Sequence, residues 1–156
     1  MNKFRKRPVG DYIQKADWHK LYALTQNWKS ELLFYIDKHR FFRRLIDTNF
    51  GELTQSENLD AVRELEIDLL ETDRRVRDLL RKTNKHLEQL ALMVEEPKRK
   101  DSRIFRIEHE HLENEIARFE NNFRTLRKDV FALAEYMMER QEMLQLDLKL
   151  NQSISV

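Results

Sequence analysis

The chain contains no cysteine in its 156 residues. That absence removes disulfide staples, thiolate metal ligands and thiol nucleophiles together, and it fits a reducing compartment. Glycine and proline are nearly as scarce, with two of each, at Pro8 and Gly10, at Gly51 and at Pro97. A sequence with so few breakers has long stretches in which nothing interrupts a helix. It has no glycine-rich phosphate loop and no serine in a strand-to-helix elbow, so the familiar frameworks for phosphoryl and acyl transfer are missing. No apolar run approaches the roughly 18 residues of a membrane span, and the basic start from Met1 to Pro8 has no apolar stretch behind it. A cytoplasmic protein without a transmembrane segment is expected. A surplus of one charge is also lacking, because 29 basic residues stand against 28 acidic ones. Net charge therefore supplies no strong steering toward a polyanion or polycation.

What the chain does have is abundant charge and well-placed apolar residues. Charged residues make up 37% of it, against roughly 25% in average globular proteins. Hydrophobic residues make up 40%, including nine Phe and two Trp, which at this length is enough for one domain with a real core. The charge belongs on solvated helix faces.

The apolar residues recur at alternating steps of three and four. From Trp18 the seam runs through Leu21, Thr25, Trp28, Leu32, Tyr35, His39, Phe42 and Ile46, and Leu33, Phe34, Ile36, Phe41 and Leu45 broaden it. Asp11 with Gln14 has capping-box spacing, so a first helix is expected over about residues 12–48, after a flexible basic tail at 1–10. Gly51 suits the turn that follows, and Thr54 with Glu57 supplies a second capping box. The second helix, about 55–95, has the seam Leu59, Val62, Glu66, Leu69, Asp73, Val76, Leu80, Thr83, Leu87, Leu90 and Val94, and it stops before Pro97. Asp101 or Ser102 caps the third, about 102–149, whose seam is Phe105, His109, Leu112, Ile116, Phe119, Phe123, Leu126, Val130, Leu133, Met137, Arg140 and Leu144. Residues 151–156 are expected to form a C-terminal tail.

Short loops make sequence neighbours antiparallel, and a repeat of 3.5 residues implies left-handed packing. The expected fold is thus all-α, an antiparallel up-down-up bundle of three long helices over residues 11–150 with coiled-coil-like packing. A second copy is one way to complete its broad first face.

In such a bundle, residues can be matched by height around the two turns. His86 comes level with His109, with His111 a turn or less away and His19 near the same height. Two or three of these histidines with Glu108, Glu113 or Glu115 would make a zinc or iron site. His109 with Glu113 and His111 with Glu115 have the spacing that shares a helix face. Only Glu108 to His111 matches the Glu-x-x-His motif of di-iron bundles, which need two. The plainer reading is a buried, hydrogen-bonded His109 with the others near solvent. Toward the opposite end, His39 and Glu66 occupy seam positions within about one turn of Asp129, either as a tuned acid–base pair or as a polar core layer that sets register. Asp73 and Thr83 are further polar seam positions.

Two surfaces remain. Lys3, Arg5, Lys6 and Arg7 emerge at the same end as Lys98, Arg99, Lys100, Arg103 and Arg106, a cationic cap for nucleic acid or an anionic membrane unless these charges are simply solvated. Phe34, Phe41 and Leu45 form a strip beside the first seam that a partner helix would cover. With no catalytic constellation in evidence, the favoured reading is a non-enzymatic interaction or scaffold protein without a cofactor, whose partner is itself, as a homodimer, or another helical protein. The alternative is a zinc- or iron-binding bundle with His86, His109, His111 and Glu113 as ligands.

Overall fold

The computed structural model describes residues 12–48 and 59–154. They form α1 (Tyr12–Lys15), α2 (Trp18–Thr48), α3 (Leu59–Glu95) and α4 (Ser102–Ile154), with no strand among them. The three long helices pack on one another as the all-α three-helix bundle that the periodicity predicts. Gly51 and the Thr54–Glu57 capping box lie outside the described residues, as do the basic tail through Arg7 and the cap assigned to Asp11.

The first helix does not run unbroken from residue 12. It is interrupted at Ala16 and Asp17, where the Asp17 carboxylate accepts the His19 backbone N–H at 2.6 Å and its carbonyl accepts Leu21 N–H at 3.2 Å. Asp17 is therefore the N-cap of α2. The short α1 is docked rather than loose, because Ile13 and Ala16 are buried. At the far turn, Phe105 N–H bonds the Asp101 carbonyl at 3.0 Å, so Asp101 rather than Ser102 is the N-cap of α4.

In α2 the buried stripe follows the expected seam, and in α4 it does so as far as Met137, beyond which the expected seam residue Leu144 is exposed. In α3 half of it moves by one residue: Leu65, Leu79, His86 and Met93 are buried, not Glu66, Leu80, Leu87 and Val94. The shared positions Val62, Leu69, Val76, Thr83 and Leu90 are unchanged. Both registers keep the heptad, but the observed one takes Glu66 and Asp73 off the core seam, where an unpaired carboxylate would be costly.

The core has two parts. The larger runs from Trp28, Leu32 and Phe42 on α2 across Leu69 and Val76 to Phe119 and Phe123 on α4. The smaller, near the α3–α4 turn, joins Ala16, Trp18, Leu21, Leu90 and Met93. A polar layer of Thr25, Thr83, His86 and His109 lies between them, all buried.

Helix lengths do not match. Lys82 on α3 meets Glu115 on α4 and His86 meets His109, so each step back along α3 is a step forward along α4. Leu59 then comes level with about residue 137 of α4. Phe42 on α2 stacks on Phe123 and packs edge-on to Phe131, so α2 ends near the same height. Among the described side chains of α4 Met137 is the last buried one, yet the helix continues through Ile154, beyond the expected end near Lys149 and into the expected tail.

Candidate functional site

The histidine layer is the most densely organised polar feature of the bundle. His86 Nε2 lies 3.0 Å from His109 Nδ1, joining α3 to α4 as the height matching predicts. His86 Nδ1 lies 3.0 Å from Gln89 Oε1, an acceptor, so this nitrogen carries the proton. In the neutral ring Nε2 is then the acceptor, and His109 donates to it from Nδ1. The other face of the layer is Trp28 of α2, whose ring stacks on His109 at 4.6 Å between centroids. Burial pushes the His86 pKa below its ordinary value, while the bond to Gln89 and the charge of Glu108 oppose the shift.

The remaining predicted ligands do not join this pair. His111 is exposed and, with Glu108 and Glu115, lines an open groove of about 200 Å³ beside His86. Glu115 is engaged by Lys82 at 3.1 Å, which raises the lysine pKa. Glu113 is buried, and His19 is exposed at the start of α2. Among the described residues no group of three or more His, Asp or Glu side chains is placed to hold a metal ion.

His39 and Glu66 both bridge α2 and α3, but not to each other. His39 Nε2–H donates to the Leu69 carbonyl at 2.7 Å, and its Nδ1 faces Asp73 Oδ1 at 3.9 Å. Glu66 instead takes Arg43 at 2.6 Å, and Asp129 is exposed on α4. The expected pair is thus two separate inter-helix contacts one turn apart. Asp73 is half-exposed and bound by Arg77 at 3.0 Å, a consequence of the register shift in α3.

The cationic cap loses two of its members to structural roles. Arg106 donates to the Ile13 carbonyl and, at 2.9 Å, to the Ala16 carbonyl, and its guanidinium lies 4.0 Å from the Trp18 ring. Burial lowers its pKa accordingly. Arg99 is held by Asp101 at 3.0 Å. Both arginines knit the α1 and α3–α4 junctions together, and sequence spacing gave no sign of this.

Of the predicted interface, Phe34 and Phe41 are 57% and 55% exposed, and Lys38 Nζ sits 4.5 Å from the Phe34 ring. Leu45 is instead packed against the larger core. A further run of uncovered apolar side chains lies where the expected seam named only Leu144. Beyond Met137, α4 exposes Met138, Met143, Leu144, Leu146, Leu148 and Leu150, each at least half exposed. The signal was available in the unequal lengths of the three helical stretches. Among the described residues no helix is long and apolar enough to cross a membrane. Comparison with protein-family models, with curated proteins and with solved structures gives no match.

Proposed function

We propose that this protein is a non-enzymatic interaction module that works by helix–helix contact with another polypeptide chain. The observation that carries the reading is the C-terminal segment of α4: a helix that runs past the described ends of α2 and α3 with six large apolar side chains in solvent. Burying a Leu or Met side chain is worth roughly 1.5–3 kcal/mol, so such a surface favours a covered state. Phe34 and Phe41 on α2 add a second uncovered patch. The buried histidines also support the reading, since His39 Nε2 bonds the Leu69 carbonyl and His86 Nε2 bonds His109 Nδ1, each tying two helices together.

The test compares the full chain with one ending at Met138 and with a Phe34→Glu, Phe41→Glu double variant. Circular dichroism and melting report the fold, and sedimentation reports size against concentration. The truncated chain is expected to melt within a few degrees of the full chain, because it loses only residues outside the core, and to lose association. Unfolding on truncation, or a full chain whose size responds to neither change, would remove the reading.

A further inference from the structure

The segment of α4 beyond Met137 carries a charge pattern that selects its own partner. Met143, Leu146 and Leu150 recur at steps of three and four and are 66%, 59% and 60% exposed. With Met143 at position a of a heptad, Leu146 is d and Leu150 the next a. Arg140 and Asp147 are then the e positions, and Glu142 and Lys149 the g positions. In a parallel pair, g of one helix faces the following e of the other, which would set Glu142 against the partner's Asp147. In an antiparallel pair, e faces e and g faces g.

The antiparallel arrangement satisfies every one of these charges. With the two-fold axis between residues 144 and 145, Met143 packs beside the partner's Leu146. Arg140 falls opposite the partner's Asp147, and Glu142 opposite the partner's Lys149. Two-fold symmetry makes each contact occur twice, so four ion pairs of correct sign flank the seam. Glu139 closes it at each end, opposite the partner's Leu150. At about 1.5 Å per residue, this overlap leaves the described ends of the two bundles about 20 Å apart.

We propose that the segment of α4 beyond Met137 is a homodimerisation element, pairing antiparallel with a second copy of this chain through Met143, Leu146 and Leu150, with Arg140–Asp147 and Glu142–Lys149 ion pairs. This rests on the helix–helix contact reading above and adds the occupant and its orientation. The product is two bundles joined end to end.

Sedimentation velocity of the full chain, from micromolar to near-millimolar concentration, tests it. The wild-type chain is expected to pass from monomer to dimer. Asp147→Lys alone sets like charges together twice and is expected to move the midpoint at least tenfold higher in concentration. Arg140→Glu with Asp147→Lys restores opposite signs and the original midpoint, while that double variant mixes poorly with wild type. Melting temperatures are expected to stay level, since these residues lie outside the core. A chain that is monomeric throughout, or a dimer indifferent to the charge changes, overturns the proposal. A dimer dissolved by Phe34→Glu instead moves the interface to α2 and spares the broader reading. A chain that is monomeric and whose size no truncation or surface change affects sinks both.

Discussion

His86 and His109 share one hydrogen bond, Nε2 to Nδ1 at 3.0 Å, toward the α3–α4 end of the bundle. The bond accommodates two neutral rings in one arrangement of tautomers, with Gln89 setting the first and His86 the second. A proton added to His86 would place N–H groups on both facing nitrogens unless His109 changed tautomer. The pair is therefore a link between α3 and α4 that holds best when uncharged.

Its pH dependence follows in sign. The folded-state pKa of His86 is depressed by burial, so the unfolded chain binds more protons near the ordinary histidine value. Stability from this group is fully present above about pH 7.5 and is lost as pH falls through about 6.5 toward the folded pKa. The slope contributed is at most about 1.4 kcal/mol per pH unit for one proton. Urea unfolding between pH 7.5 and pH 5 should show the decline, and His86→Gln should flatten it. A decline of the same steepness in the variant would assign the effect elsewhere.

The same pair predicts non-additive mutations. His109→Leu leaves a buried His86 nitrogen without its donor and should cost about 1–3 kcal/mol. His86→Leu does the same to His109. With both replaced, no polar atom of the pair remains buried, and the loss should fall well below the sum of the two. Equal sums would mean that the hydrogen bond couples the helices no more than packing does.

Much of the architecture is legible in the sequence because seam spacing depends on helix geometry alone. Three stretches with a repeat near 3.5 and two places for turns leave few other folds, and the height matching even brings His86 to His109. The misses have a common physical origin. Leu65 and Glu66 both continue a heptad from Val62, and only the helices packed on α3 decide that the leucine goes inside. Arg106 reads as a turn cation until α1 is folded back beneath it with two carbonyls to satisfy. The exposed end of α4 is invisible to periodicity, since a seam does not state where its partners stop. Spacing places Leu45 on the outer strip with Phe34 and Phe41, yet it packs against the core.

Arg106 should hold α1 in place. Its guanidinium covers Trp18 and takes the Ile13 and Ala16 carbonyls, so Arg106→Met keeps some apolar contact but deletes both bonds. Hydrogen bonds from a charged donor are worth about 1.5–3 kcal/mol. Hydrogen exchange by mass spectrometry is the direct measurement: amides of residues 13–21 should lose protection in the variant, while those of residues 112–126 keep theirs. Uniform loss would make Arg106 a global contributor instead.

Thr83 offers the opposite case, a change expected to stabilise. It is fully buried, and its hydroxyl has no hydrogen-bond partner among the described residues. Thr83→Val keeps the β-branched shape and removes the unsatisfied oxygen, so a gain of up to about 1 kcal/mol is expected by chemical denaturation. A loss instead would show that the hydroxyl is bonded in solution, with ordered water as the natural partner.

Zinc or ferrous iron should find no strong site at the histidine layer. A metal bound there would need ring nitrogens that now face each other at 3.0 Å, and would need further ligands from side chains turned elsewhere. His111 is exposed, and Glu115 is tied to Lys82. Breaking the His86–His109 bond and the Lys82–Glu115 ion pair before any coordination begins leaves little net gain from two or three imperfect ligands. Elemental analysis of the purified, untagged chain before and after loading should therefore give well under one metal per chain, and melting temperature should not rise with added metal. Near-stoichiometric metal with a raised melting temperature, lost on His86→Ala with His109→Ala, would require the layer to open and rebuild as a coordination site. The same protein would then show the pH decline of stability sharpened rather than flattened by the metal, because protons and the ion would compete for the same nitrogens.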